Sequence, residues 1–168
     1  VTASTYDADG NVTQVRAYKN TVASTTSPSA VVADAANDRI TRVVYDRANR
    51  ETYRSDALGA VSGTTYDGNS NIVARTAYAT LMPGASPDTV TATANDRVTR
   101  MSYDKAGRLT YQADALNYVT GYTYDNAGQL MSTRRYASAI TSAQAPSAAV
   151  SSAADQVETC TYDKAGGT

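Results

Sequence analysis

Histidine, tryptophan and phenylalanine are absent from this 168-residue chain, and cysteine occurs once, at Cys160. Without His, the commonest general base and metal ligand is missing, and a single Cys rules out an internal disulfide. The net charge is −1 and the pI about 5.3. With no basic run, the electrostatic footprint of a nucleic-acid binder is lacking. No apolar stretch approaches the ~20 residues that a membrane-spanning helix needs, and no signal peptide is visible, though a mature or internal segment would show none either. Aromatic packing falls to 13 tyrosines alone. Tyr offers a large apolar body and a hydroxyl that needs a partner, which suits a half-wet sheet face better than a dry core.

What the chain does have is repetition. The dipeptide Tyr-Asp recurs at Tyr6-Asp7, Tyr45-Asp46, Tyr66-Asp67, Tyr103-Asp104, Tyr124-Asp125 and Tyr162-Asp163. Successive intervals are 39, 21, 37, 21 and 38 residues, so short units alternate with long ones and the super-period is 58 to 60. Repetition of this kind decides the fold before local propensity does. It also makes a residue type that recurs at one place in each copy an architectural feature. The whole of 1–168 reads as a single array that opens and closes partway through a super-repeat, an excerpt of a longer array or a subunit continuing into its neighbours.

Three residues beyond each Asp stand Gly10, Asn49, Ser70, Gly107, Gly128 and Gly166. Gly and Asn are the residues that tolerate a left-handed backbone, and Ser70 is the departure. An Asp opening a turn, two permissive residues and a left-handed Gly describe a type I turn with a G1 bulge, the carboxylate accepting from the N–H two residues on. Second turns recur at Asp56-Ala-Leu58-Gly59 and Asp114-Ala-Leu116-Asn117. Strands are expected at Val12–Tyr18, Glu51–Ser55, Val61–Tyr66, Ile72–Tyr78, Leu109–Ala113, Val119–Tyr124 and Leu130–Tyr136. Each long unit adds an Ala/Ser/Thr-rich insert: insert 1 (19–37), insert 2 (79–95) and insert 3 (137–154). These carry all four prolines, and Pro28, Pro87 and Pro146 precede segments that suit a short loop with one or two helical turns. Each insert ends at an Asp seven residues before the next Tyr-Asp: Asp38, Asp96 and Asp155. The class that follows is all-β and antiparallel.

Tyr103-Asp-Lys-Ala-Gly107-Arg108-Leu109, then Asp114-Ala-Leu116, then Tyr122-Thr-Tyr124-Asp125 resembles the RHS, or YD, repeat family, whose usual form is YD-x-x-G-R-L, D-P-L-G, T-x-Y-x-Y-D. The resemblance covers the chain except for its inserts. Ala57 and Ala115 stand where the family favours Pro, and Asn117 stands for Gly. The resemblance implies β-hairpin repeats in one continuous sheet that spirals into a hollow shell, as in bacterial RHS toxins, the cocoon components of insecticidal toxin complexes and the teneurins. It implies a non-enzymatic wall segment of a secreted or surface-exposed bacterial protein, with no cofactor. Neighbouring repeats of the same or identical chains are the implied partners, with a toxin region as enclosed cargo.

The same residues admit other readings. The Tyr-Asp carboxylates are assigned to turns rather than catalysis, because they recur at turn starts. Asp7-Ala-Asp9-Gly10-Asn11 resembles the start of a calcium loop, yet Tyr18 stands where a Glu ligand belongs. Rows of Tyr suit either cross-strand packing or the face of a glycan. Arg39, Arg42, Arg97 and Arg100 read as solvated sheet-face charges, and Cys160, aligned with Val43 and Met101, as a buried inert thiol. Asn11-Val-Thr13 fits a glycosylation sequon. A self-associating filament or adhesive matrix protein is the alternative to the shell.

Overall fold

A Tyr-Asp pair closes every second strand. In the computed structural model, which describes residues 1–162, β1 (Thr2–Tyr6), β3 (Arg39–Tyr45), β5 (Val61–Tyr66), β7 (Arg97–Tyr103) and β9 (Val119–Tyr124) each end on that Tyr. They alternate with β2 (Val12–Ala17), β4 (Glu51–Ser55), β6 (Ile72–Ala77), β8 (Leu109–Ala113), β10 (Leu130–Arg135) and β11 (Gln156–Thr159). The strands form one antiparallel sheet in chain order, so every connection joins neighbours. The ladder slips by one residue at Tyr6, Tyr45 and Tyr103, and again at the start of β10, which is where a bulge beside each turn belongs. Helical structure among the described residues is limited to three single 3₁₀ turns, Pro28–Ala30, Pro87–Thr89 and Pro146–Ala148, each with Pro opening it. The sixth turn, with Asp163 and Gly166, lies outside the described residues.

Contacts divide the chain into two compact units. The first comprises Val1–Thr64 and Thr76–Asp96. Within it Arg42 of β3 faces Ser55 of β4, and Ser55 faces Val61 of β5. Insert 2 folds back so that the Pro87 turn packs on β3 and β4. The residues it helps to shield, Val43, Ser55 and Val61, are buried, as are Gly59, Gly63 and Pro87 itself. The second unit comprises Thr65–Arg75 and Arg97–Thr168. Here Arg100 faces Ala113, which faces Val119, and the Pro146 turn packs on β7 and β8. Ala113 and Val119 are fully covered. A sheet alone hides little, because a face must meet a second layer to be dry. The inserts provide that layer, and the small residues Ser55 and Ala113 let them approach.

Cys160 does not share the burial of its counterpart Val43: it is exposed. Its segment continues β11, which among the described residues pairs only with β10 and is exposed throughout. An insert covers Val43, whereas among the described residues no layer covers Cys160.

Candidate functional site

Three sets of side chains recur with the repeat and hold it together. In the first, the Asp of each Tyr-Asp pair among the described residues aims one carboxylate oxygen at two backbone N–H groups, two and four residues on. Asp7 accepts from Asp9 (3.0 Å) and Asn11 (2.8 Å), and Asp46 from Ala48 (2.8 Å) and Arg50 (3.1 Å). Asp67, Asp104 and Asp125 repeat this at 2.8 to 2.9 Å. Asp56 and Asp114 do the same in the second turns. The other oxygen takes the side chain four residues on: Asn11 (3.0 Å), Arg50 Nε (2.8 Å), Asn71 (2.9 Å) or Arg108 Nε (2.7 Å). Such bonds favour the charged carboxylate. The Asn11 amide holds Asp7 below the usual carboxylate range, the Arg50 guanidinium does so for Asp46, and the Arg108 N–H leads at Asp104. The left-handed positions are Gly10, Asn49, Ser70, Gly107 and Gly128, with φ from 58° at Asn49 to 87° at Gly10. Ser70 therefore adopts, at φ 68°, the conformation its neighbours reach with Gly or Asn.

In the second set, the Tyr hydroxyl reaches across to an earlier strand and donates to the carbonyl of its first residue. Tyr45 reaches Val12 (3.2 Å), Tyr103 reaches Ile72 (2.9 Å), Tyr124 reaches Leu109 (2.8 Å) and Tyr162 reaches Leu130 (3.0 Å). Tyr66 is engaged as well, whereas Tyr6 is 62% exposed. The composition showed that 13 hydroxyls needed partners but not where those partners were. Arg108 adds a link between turns, with its guanidinium 4.9 Å from the Tyr124 ring centre and donating to the Asp125 carbonyl (3.2 Å).

The third set closes the inserts, and its role was not read from the sequence. Asp38 accepts from the N–H groups of Lys19 (2.9 Å) and Asp34 (3.0 Å), at the two ends of insert 1. Asp96 joins Ala79 and Thr93 at 2.9 Å each, and Asp155 joins Ala137 and Ser152 at 3.0 Å each. Arg16 and Arg134 pair with Asp38 and Asp155, whose side chains are 0% and 1% exposed. The Ala137 and Ser152 N–H groups draw the Asp155 carboxyl far below its ordinary range. The signal was present in the spacing, since an Asp stands seven residues before the Tyr that follows each insert, at Tyr45, Tyr103 and Tyr162. Arg100 corrects the reading of sheet-face arginines as solvated charges. It donates to the carbonyls of Ser142 and Gln144 (2.5 Å each) and Thr141 (3.4 Å), and to Asn117 Oδ1 (2.6 Å).

Tyrosines that end the long-unit strands pack in pairs. Tyr78 stacks on Tyr53 with ring centres 6.2 Å apart, and Tyr136 meets Tyr111 at 6.5 Å. The Tyr78 ring lies over Gly63 and the Tyr136 ring over Gly121, where an added Cβ would meet them at 3.1 and 3.2 Å. Burial pushes the Tyr78 hydroxyl up to about 12. The carboxylates and rings of the repeat are thus committed to backbone and to one another.

Residues 103–141 match the sequence profile of the RHS repeat. Over that stretch the chain is similar to the RHS, or YD, repeat family. No curated protein matches it. Solved structures with the same fold as this chain include the TcdB2-TccC3-Cdc42 crystal structure, with a TM-score of 0.61 and 16% identity over 99% of this chain and 8% of that one. TcdB2-TccC3 aligns with a TM-score of 0.54 and 16% identity over 99% of this chain and 9% of that one. The Photorhabdus luminescens Tc holotoxin pore aligns with a TM-score of 0.51 and 15% identity over 75% of this chain and 6% of that one. The chain therefore spans less than a tenth of the length of the structures it resembles. Among the described residues no helix is long and apolar enough to cross a membrane.

Proposed function

We propose that this chain is a length of wall in a β-shell of a large secreted bacterial RHS-repeat protein, and that the shell encloses a toxic region. In this reading residues 1–168 act as one array and carry no catalysis. The observation that carries the reading is the likeness of fold over 99% of the chain to TcdB2-TccC3-Cdc42. The turn carboxylates and Tyr hydroxyls support it, because the carboxylates are spent on N–H groups of their own turns and the hydroxyls on carbonyls of other strands. A sheet that continues strand to strand also limits the exposed edges that would recruit foreign chains.

The test is electron cryo-microscopy of the native assembly that contains this sequence. A closed hollow body with density inside is the expected outcome. An open filament whose axial repeat is a multiple of one super-repeat would replace the shell with a self-associating fibre. A body with an empty interior would remove the cargo from the proposal.

A further inference from the structure

The three inserts are built alike, yet only two of them are covered. Insert 2 lays Pro87, fully buried, on β3 and β4, donates the Met82 N–H to the Gly59 carbonyl (2.7 Å), and begins at Tyr78, stacked on Tyr53. Insert 3 repeats each contact, with Pro146 on β7 and β8, the Ile140 N–H on the Asn117 carbonyl (3.0 Å), and Tyr136 on Tyr111. Insert 1 has the matching parts in Tyr18, Val22 and Pro28. Its Pro turn contains no buried residue, and the Val22 N–H has no partner among the described residues. The same interface is thus built twice in this molecule, and a third copy of its insert half stands open.

The two filled interfaces differ in one respect that identifies the partner. Insert 2 runs nine residues from Tyr78 to Pro87, whereas insert 3 runs ten from Tyr136 to Pro146, and insert 1 also runs ten from Tyr18 to Pro28. Inserts 1 and 3 share the same backbone, a turn closed by Thr26 N–H on the Ala23 carbonyl in one and by Gln144 N–H on the Thr141 carbonyl in the other. The shorter insert 2 presses against Gly59, where a Cβ would lie 2.5 Å from Pro83 N. The longer insert 3 stands against Asn117 and is gripped by Arg100 through the carbonyls of Thr141, Ser142 and Gln144. The corresponding carbonyls of insert 1 belong to Ala23, Ser24 and Thr26.

We propose that insert 1 is a docking surface for a hairpin of another RHS repeat, and that it selects a hairpin of the Arg100–Asn117 type over one of the Gly59 type. Such a hairpin brings an Arg on its first strand, a Tyr and a small residue on its second, and Asn at the left-handed position of the turn. A second copy of this chain is not the occupant, because both hairpins of suitable pattern already hold their own inserts. The inference does not depend on whether the wall encloses anything.

The experiment compares the 168-residue chain with two fusions. One carries a copy of residues 97–118 ahead of Val1, and the other a copy of residues 39–60. Hydrogen exchange at Val22 and the melting temperature of Pro28→Ala variants are the readouts. In the 97–118 fusion, Val22 exchange slows at least tenfold, and Pro28→Ala lowers the melting temperature by about 3 °C. In the unfused chain the same substitution changes nothing. Arg100→Ala made only in the added copy abolishes the protection while the rest of the sheet stays folded. Equal protection by both fusions would overturn the selectivity. Protection by neither, or Val22 protection in the unfused chain that grows with concentration, would overturn the docking.

Discussion

Insert 2 reaches its hairpin through the absence of a side chain at Gly59, whereas insert 3 reaches its own through the side chains of Arg100 and Asn117. The backbone task is the same in both: an N–H from the insert meets the carbonyl of a left-handed turn residue, at φ 86° for Gly59 and 68° for Asn117. Unit 1 solves it by close approach and unit 2 by a guanidinium that spans the extra space left by one more insert residue. Arg42 holds the same register as Arg100, opposite Ser55 rather than Ala113, but the partners that engage Arg100 are missing there. Two copies of one repeat can therefore keep a backbone contact while exchanging the chemistry that enforces it. A consensus motif hides that exchange.

The sharpest way to break the comparison is Gly59→Ala. A Cβ there meets backbone at 2.5 to 2.9 Å, with no flexible side chain to give way, and it sits on a left-handed φ. Strain and overpacking together are expected to cost about 3 kcal/mol, read as a lower urea midpoint with insert 2 released. Asn117→Gly in the other unit should cost less than about 1 kcal/mol, since Arg100 keeps its backbone acceptors. Arg100→Ala comes next, at about 2 kcal/mol for several charge-assisted bonds. Arg42→Ala should stay within about 0.5 kcal/mol. Equal losses at Arg42 and Arg100 would mean that the grip on insert 3 is not what stabilises it.

The strands and turns were legible because they obey local rules. Asp at the turn opening and Gly or Asn at the left-handed position are one-residue signals repeated along the chain, and the strands run from one of them to the next or to an insert. Even Ser70, which broke the pattern, was carried into place by the other turn residues. Less could be seen of what lies between elements. Arg100 and Arg42 look alike in sequence, and what separates their fates lies elsewhere, in Asn117 against Gly59 and in the length of an insert some forty residues on. Cys160 aligned with a buried Val43, but burial depends on a covering layer, which a position in a repeat does not specify. The Asp pins were visible as a spacing, without a reason for it until the insert ends were seen to meet.

A smaller effect tests the hydroxyl links. Tyr103→Phe removes the bond to the Ile72 carbonyl and a long contact to Met101 Sδ, and leaves the ring in place, so about 1 kcal/mol should be lost. Tyr6→Phe, at an exposed ring, should leave the unfolding midpoint unchanged within error. If both substitutions were silent, the repeated Tyr would be kept for its ring alone.

Acid separates the two inserts most finely. The Ala79 and Thr93 N–H groups hold the Asp96 carboxyl below its ordinary 3.8, while the Ala137 and Ser152 N–H groups, with Arg134 added, hold Asp155 much further down. A carboxyl depressed in the folded state stabilises fully above its unfolded value, and the contribution is lost as the pH falls through the folded value. Both pins are thus intact above about pH 5. Below that Asp96 takes up its proton first, and insert 2 loosens while insert 3 is still closed. Hydrogen exchange at Ala79 and Thr93, taken at each pH as a ratio to exchange at Ala137 and Ser152, should rise as the pH drops below 4. A ratio that stays flat would mean the Arg134 pair adds nothing to the pin, and that the two units differ only where their inserts meet the turns.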